Sequence, residues 1–235
     1  MTVQEIMADL QANGSESIKK ILLKHGVKEP FFGVKIEHLK VIQKKVKMDN
    51  ELAKGLYATG NADAMYLAGL ITDDEKMSKA DLQLWAEQAL SNNISEYTVP
   101  WVTSGSNYGY ELALEWIDSD KEHIAAAGWA TLGDIIAVKP DTEVDIAGYK
   151  VLMERVVKNI HSSPDRVRSK MNNFIIVAGS YSTSLTGDAI AAAKKIGSVT
   201  VIKEGTACKT PDAIEYITKA QSKGTLGKKK KTVKC

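Results

Sequence analysis

Apolar residues recur every three or four positions along most of this chain. Between residues 36 and 46, Leu39 and Ile42 fall on one side of a helix while Lys40 and Lys44 fall on the other. The same spacing recurs in residues 82–89, 124–135, 149–160 and 171–178. An amphipathic helix needs a neighbour to bury its apolar stripe, so the pattern predicts an all-α protein.

Short breaks separate the predicted helices. The segments NGS at 13–15, HG at 25–26 and KPD at 139–141 combine helix-capping and helix-stopping residues, with Ser15 a candidate cap. Because the connections are short, we expect successive helices to pack antiparallel. Only residues 199–203, VTVIK, have the composition of a strand, and one strand cannot form a sheet.

A weak internal repeat supports a helical stack. Residues 51–60, ELAKGLYATG, resemble residues 111–120, ELALEWIDSD, at an offset of 60, and each copy precedes a second helix rich in small residues. Repeated helix pairs are typical of HEAT-like solenoids. We therefore expect an α-α superhelix of antiparallel helix pairs, forming a single domain over residues 1–222 that is followed by a flexible lysine-rich tail over 223–235.

Composition narrows the functional classes. The chain is 44% hydrophobic and 26% charged, as in ordinary globular proteins, and its start lacks the basic and apolar pattern of a signal peptide. With no apolar run long enough to span a membrane, we expect a cytoplasmic protein. Cys208 and Cys235 are too few for a disulfide framework and are expected to be free thiols, Cys208 being either a reactive or a small buried residue.

Cofactor signatures are missing from the sequence. The four histidines have no carboxylate or cysteine at ligand spacing, and no phosphate loop or dinucleotide fingerprint occurs. We therefore expect neither a metal nor another cofactor. The histidines are His25, His38, His123 and His161.

Charge is distributed unevenly. The net charge is +2, but five lysines stand in the last eight residues, and the remainder carries −3. Residues 17–54 contain ten lysines and four acids, whereas residues 101–150 contain nine acids and three lysines. This asymmetry could orient the protein against a polyanion, although solvated faces that differ by chance would give the same counts.

One known family shares these features. The segment FFGVKI at 31–36, followed by Leu39-Lys40 and Lys44-Lys45, resembles the opening of the AlkD-like DNA alkylation repair proteins. The helix pairs at 51–72 and 111–138 and the closing segment from residue 205 are similar to a subgroup of that family, so the resemblance covers essentially the whole chain. It implies HEAT-like repeats whose basic concave face holds duplex DNA.

The resemblance also implies a catalytic site that this sequence does not fully keep. Active members are glycosylases that release alkylated purines, using a carboxylate with aromatic and Arg neighbours beside the deoxyribose. The family sets a Trp four residues before an Asp, whereas here the residue four positions after Trp101 is Gly105. The later helix that should carry an Arg reads HIAAAGW at 123–129 and has none. Trp101 and Trp129 are the aromatic candidates, unless they are core residues, and Phe174 or Tyr181 could match a late aromatic.

Basic residues supply the candidate DNA contacts. Lysines on one helix face can bind phosphates without reading sequence, although a solvated face and a solubilising tail have the same composition. The predicted DNA-binding residues are Lys35, Lys40, Lys44, Lys45, Lys47, Arg166, Arg168, Lys170, Lys228, Lys229, Lys230 and Lys231.

Two functions from different classes remain open. The first is a monomeric protein that holds double-stranded DNA through its backbone, independently of base sequence, with little or no glycosylase activity. The second is a protein-interaction scaffold of the same fold, whose acidic region 101–150 contacts a basic partner.

Overall fold

A computed structural model describes residues 1–202 and 210–235. All regular structure in this part of the chain is helical, which confirms the all-α prediction. Residues 199–202, the described part of the predicted strand, form no strand, and Lys203 lies outside the described residues, as does Cys208.

The described residues form two compact units. Unit 1 comprises residues 1–108 with 234–235, and its helices are α1 (Val3–Ala12), α2 (Glu16–Lys24), α3 (Ile36–Val46), α4 (Asn50–Tyr57), α5 (Ala62–Ile71), α6 (Lys79–Gln88) and α7 (Val99–Gly105). Unit 2 comprises residues 109–202 and 210–233, and its helices are α8 (Gly109–Trp116), α9 (Glu122–Val138), α10 (Ile146–Asn159), α11 (Asp165–Tyr181), α12 (Thr186–Ile196) and α13 (Ala213–Ser222). The single domain over 1–222 stays a prediction.

Side-chain caps explain several helix starts. Thr2 and Glu5 form a reciprocal capping box at α1, and Ser15 accepts a hydrogen bond from the Ile18 N–H at α2, as the sequence predicts. Asp49 and Asp212 cap α4 and α13 in the same way. These caps satisfy N–H groups that a helix start would otherwise leave without partners.

In unit 1, α5 is the central helix. All ten of its residues are buried, and α3 and α4 pack against it. The ring of Tyr57, on α4, stacks on Trp85 at 3.9 Å, and its hydroxyl donates to the Trp85 carbonyl over 2.7 Å. A helix that is apolar all round belongs in a core, which explains the small-residue composition of α5.

A buried carboxylate at the start of α5 holds the FFGV segment. Asp63 accepts hydrogen bonds from the backbone N–H groups of Phe32, Gly33 and Val34, at 2.7, 3.0 and 3.3 Å. Gly33 has φ +77°, a left-handed conformation that glycine adopts without strain. Burial raises the pKa of Asp63, and these three hydrogen bonds oppose that rise.

In unit 2, α9 has the corresponding central place. It packs against α8 and α11, and thirteen of its seventeen residues are buried. The ring of Trp129 meets Phe174 edge-on at 5.2 Å, and Phe174 lies 5.8 Å from Tyr149. The pairs α4–α5 and α8–α9 are the two copies of the sequence repeat, and the second helix of each copy is the buried centre of its unit.

Candidate nucleic-acid interface

Lys40 and Lys44 lie on the side of α3 opposite its buried residues, and Lys45 lies at the edge of that side. Leu39 and Ile42 are buried, whereas Lys44 and Lys45, in the last turn, are exposed. Gln43 fixes the helix against α5 by donating to the Leu70 carbonyl over 3.1 Å. The lysines of this face form no ion pair with any residue that the structure describes, so their ammonium groups are available to an anion. We call Lys35, Lys40, Lys44, Lys45 and Lys47 the α3 basic face.

The second predicted basic group, at the start of α11, is engaged within unit 2. The Arg168 guanidinium pairs with Asp165 over 3.1 Å and donates to four backbone carbonyls, including Ser163 at 2.7 Å and Thr200 at 2.9 Å. Lys170 is only 7% exposed. The backbone N–H of Arg166 donates to Glu122 over 3.0 Å. The Arg168 guanidinium is therefore occupied by contacts within unit 2, and the Lys170 side chain is buried there. Neither is well placed to bind a phosphate.

The predicted flexible tail makes specific contacts in the structure. The Lys229 ammonium donates to Asp141 over 2.9 Å, and the Lys234 ammonium donates to Asp74 over 2.6 Å. Lys230 lies 5.2 Å above the ring of Tyr181. Each of these ion pairs joins two partly buried groups, and the flexibility of residues 223–235 stays a prediction.

The aromatic candidates are core residues in the structure. Trp129 is 0% exposed and packs on Phe174, so neither ring is open to a nucleotide. Trp101 is 5% exposed and lies edge-on to Tyr66 at 5.3 Å. An arginine does reach Trp129, but it comes from α10: the Arg155 guanidinium lies 6.0 Å from the Trp129 ring and pairs with Asp118.

A carboxylate that the sequence analysis missed lies against Gly105. Asp74 is positioned so that a Cβ built on Gly105 would overlap its carboxylate oxygen. Burial raises the pKa of Asp74 to about 6, although Lys234 acts to lower it. The space that a side chain at position 105 would fill is thus taken by a carboxylate from a distant part of unit 1.

Two of the four histidines have ordinary side-chain partners. His38 Nε2 lies 3.2 Å from Asp9 Oδ1, and His161 Nε2 lies 2.9 Å from the Ile196 carbonyl. Within residues 1–202 and 210–235, no group of three or more His, Cys, Asp or Glu side chains is arranged to hold a metal ion. The helices of these residues also include none with the length and apolar character needed to cross a bilayer.

Comparison with known proteins decides the family. The model of the DNA alkylation repair enzyme family matches residues 6–217. The chain belongs to this family. The resemblance that the FFGVKI segment indicates is therefore confirmed at the level of the family, while the comparison leaves catalytic activity open.

Relatives extend over the whole length of this family member. Two uncharacterized proteins, from Listeria innocua serovar 6a and Listeria monocytogenes serovar 1/2a, are each 31% identical to it over 229 residues, which is 95% of this chain and 99% of the relative. A solved structure superposes with a TM-score of 0.92 and 37% identity over 100% of both chains. That protein represents a family related to the HEAT-like repeat DNA glycosylases, with affinity for branched DNA structures. The predicted HEAT-like repeat fold is confirmed.

Proposed function

We propose that this member of the DNA alkylation repair family binds DNA through the phosphate backbone, with the α3 basic face as its main contact. The observation that carries the proposal is the state of these lysines: they lie on α3 or at its two caps, and they form no ion pair with the described residues. Two of them, Lys44 and Lys45, stand in the last turn, where their charges also stabilise the helix by offsetting the negative end of its dipole. Such a face binds phosphates without distinguishing bases.

Branched DNA is the preferred form in this proposal. The support is the solved protein with affinity for branched DNA, which shares 37% of its residues with this chain over the full length. A branch point brings several duplex arms, and therefore more phosphates, within reach of one basic surface. We further propose that the protein acts as a monomer in the cytoplasm.

We do not assign glycosylase chemistry to this chain. Position 105, where the resemblance calls for a carboxylate, is glycine, and the neighbouring Asp74 is already paired with Lys234. A carboxylate can stabilise positive charge on a sugar only if it is not neutralised by another cation. Trp129, the second aromatic candidate, is enclosed in the core of unit 2.

The scaffold alternative has less support from the acidic region 101–150. Several of its carboxylates have partners within unit 2, which reduces the charge that a basic protein could meet. The engaged acids are Asp118 with Arg155, Glu122 with the Arg166 N–H, Asp141 with Lys229, and Asp145 with the Gly148 N–H.

The test is a charge-matched comparison of two lysine pairs by fluorescence anisotropy. Lys44→Gln with Lys45→Gln alters the last turn of α3, and Lys194→Gln with Lys195→Gln alters the last turn of α12 in the same way. Each protein is titrated with a four-way junction and with linear duplex of equal length across a salt series. We expect the α3 pair to lower the slope of log K against log salt by about 2, since each lost phosphate contact removes about 0.9.

The α12 pair should leave that slope unchanged. Equal losses in the two double variants would show that net charge, and not the α3 basic face, governs binding. No binding of the unaltered protein to either DNA at low salt would refute the proposed function and would return attention to the scaffold alternative.

A further inference from the structure

Two lysines of residues 228–235 are held in the same way, each at the C-terminal end of a buried helix. In unit 2 the Lys229 ammonium donates to the Ile136 carbonyl over 2.8 Å and to Asp141 over 2.9 Å. In unit 1 the Lys234 ammonium donates to the Thr72 carbonyl over 2.9 Å and to Asp74 over 2.6 Å. Each lysine ammonium therefore donates to one helix-end carbonyl and to one carboxylate.

The two lysine sites lie at corresponding places in the structure, the ends of the second helices of the two repeat copies, although their aspartates are 67 positions apart and the repeat offset is 60. The helices are α5 and α9, the second helices of the two repeat copies. Their C-cap residues are Thr72 and Lys139, and in each case the aspartate stands two residues later, as the first residue of a 3-10 turn. The repeated unit thus ends in the same local structure twice.

The chemistry of such a site favours an ammonium group. The last carbonyls of a helix have no partners within it and carry the negative end of the helix dipole. A carboxylate beside them adds a full charge, and an ammonium has three donors with which to meet both. At Asp141, burial acts to raise the pKa, but hydrogen bonds from Lys229, Ser182 and Ser184 outweigh it and lower the pKa to about 2.

Backbone contacts add to the attachment in unit 2. The Gly227 N–H donates to the Ser180 carbonyl over 2.9 Å, and the Lys230 N–H donates to the Ala137 carbonyl over 2.7 Å. Lys229 and Lys234 have side chains 20% and 17% exposed. Their ammonium groups are paired with carboxylates inside the protein and are therefore poorly placed to bind a phosphate.

Lys228 and Lys231 differ from these two lysines. Both are exposed, and neither pairs with a carboxylate among the described residues. Lys228 closes a turn in which its N–H donates to the Thr225 carbonyl over 3.1 Å, immediately before the anchored Lys229.

We propose that four of the five lysines of residues 228–234 have two separate tasks: Lys229 and Lys234 anchor the segment at the ends of α9 and α5, and Lys228 and Lys231 contact DNA phosphates. The phosphate half rests on the proposed function, whereas the anchoring half does not. An anchored segment presents its phosphate ligands in a fixed position, which lowers the entropy lost when DNA binds.

The experiment compares two double variants that each remove two positive charges. Lys229→Gln with Lys234→Gln removes the anchors, and Lys228→Gln with Lys231→Gln removes the proposed phosphate ligands. Hydrogen–deuterium exchange of the Lys230 amide reports anchoring without any DNA. Anisotropy with a four-way junction across a salt series reports phosphate contacts.

We expect the anchor variant to exchange the Lys230 amide at least about tenfold faster, while its salt slope stays within experimental error. The phosphate variant should keep slow exchange and lose about 2 from the slope. Equal slope losses in both variants, or unchanged exchange in the anchor variant, would overturn the division of tasks. If the unaltered protein binds no DNA, the proposed function and the phosphate half both fail, and the exchange data alone decide the anchoring half.

Discussion

The start of α11 in unit 2 and the basic face of α3 in unit 1 have similar basic composition but different surroundings. On α11, Arg168 is surrounded by carbonyl groups and Asp165, and Lys170 is buried. On α3, Lys40 and Lys44 have no carboxylate partner among the described residues. The difference shows that a count of basic residues gives only the net charge. DNA binding depends on basic side chains that are exposed and not paired within the protein.

The largest effect that this comparison predicts is on stability. Arg168→Gln should lower the free energy of unfolding by about 3 kcal/mol, because it breaks several charge-assisted hydrogen bonds and leaves carbonyls without donors. Urea denaturation followed by circular dichroism measures the change. Lys40→Gln is the matched control and should stay within about 0.5 kcal/mol. Similar losses of unfolding free energy in the two variants would show that the basic residues of α11 and α3 do not differ in this way.

A second prediction concerns Lys170 and uses pH. Burial raises the pKa of Asp134 to about 7, and the charges of Lys170 and Lys230 act to lower it. Lys170→Met should therefore raise this pKa further, which carbon-detected NMR titration of the Asp134 carboxyl can follow. A folded-state pKa above the unfolded value means that stability falls as pH rises toward the folded pKa.

The Lys170→Met variant should accordingly lose stability relative to the unaltered protein as pH rises from 6 to 8. Lys44→Met, an exposed lysine of α3, should show no such trend. A constant difference in stability across this range would mean that Lys170 does not lower the pKa of Asp134.

The smallest predicted effect is that of one lysine of the α3 basic face on DNA binding. Lys40→Gln should weaken binding about threefold near 0.1 M salt and reduce the salt slope by about 1, since it removes one phosphate contact. Arg168→Gln, measured where the variant is fully folded, should leave the slope unchanged. The reverse ranking in anisotropy titrations would place the DNA surface on α11.

Local sequence patterns predict the helices and their ends well. The stripe of Leu39 and Ile42, the cap at Ser15 and the stop at 139–141 all depend on residues within a few positions of one another, and the structure has helix boundaries at the two predicted breaks. The repeat at an offset of 60 correctly indicates that α5 and α9 are comparable helices.

Long-range polar contacts could not be predicted in the same way. The partners of Arg168 come from residues 160–165 and from Thr200, and nothing in the sequence marks those carbonyls as free. Asp74 and Gly105 are 31 positions apart, so their approach depends on how the 3-10 turn at 74–76 and α7 pack within unit 1. Composition alone predicts a flexible tail, because it cannot show that two of its lysines form ion pairs with Asp74 and Asp141.

The hydrogen bonds of Asp63 have a consequence for how the chain is made. They join this carboxylate to amides 29 to 31 residues earlier, including that of Phe32. A ribosome adds about 5–20 residues per second, so the FFGV segment waits about 2 to 6 s for its partner to be synthesised. During that interval the segment can contact only residues made before it, such as Ser15 and Lys19, and its aromatic side chains are accessible to a chaperone near the ribosome.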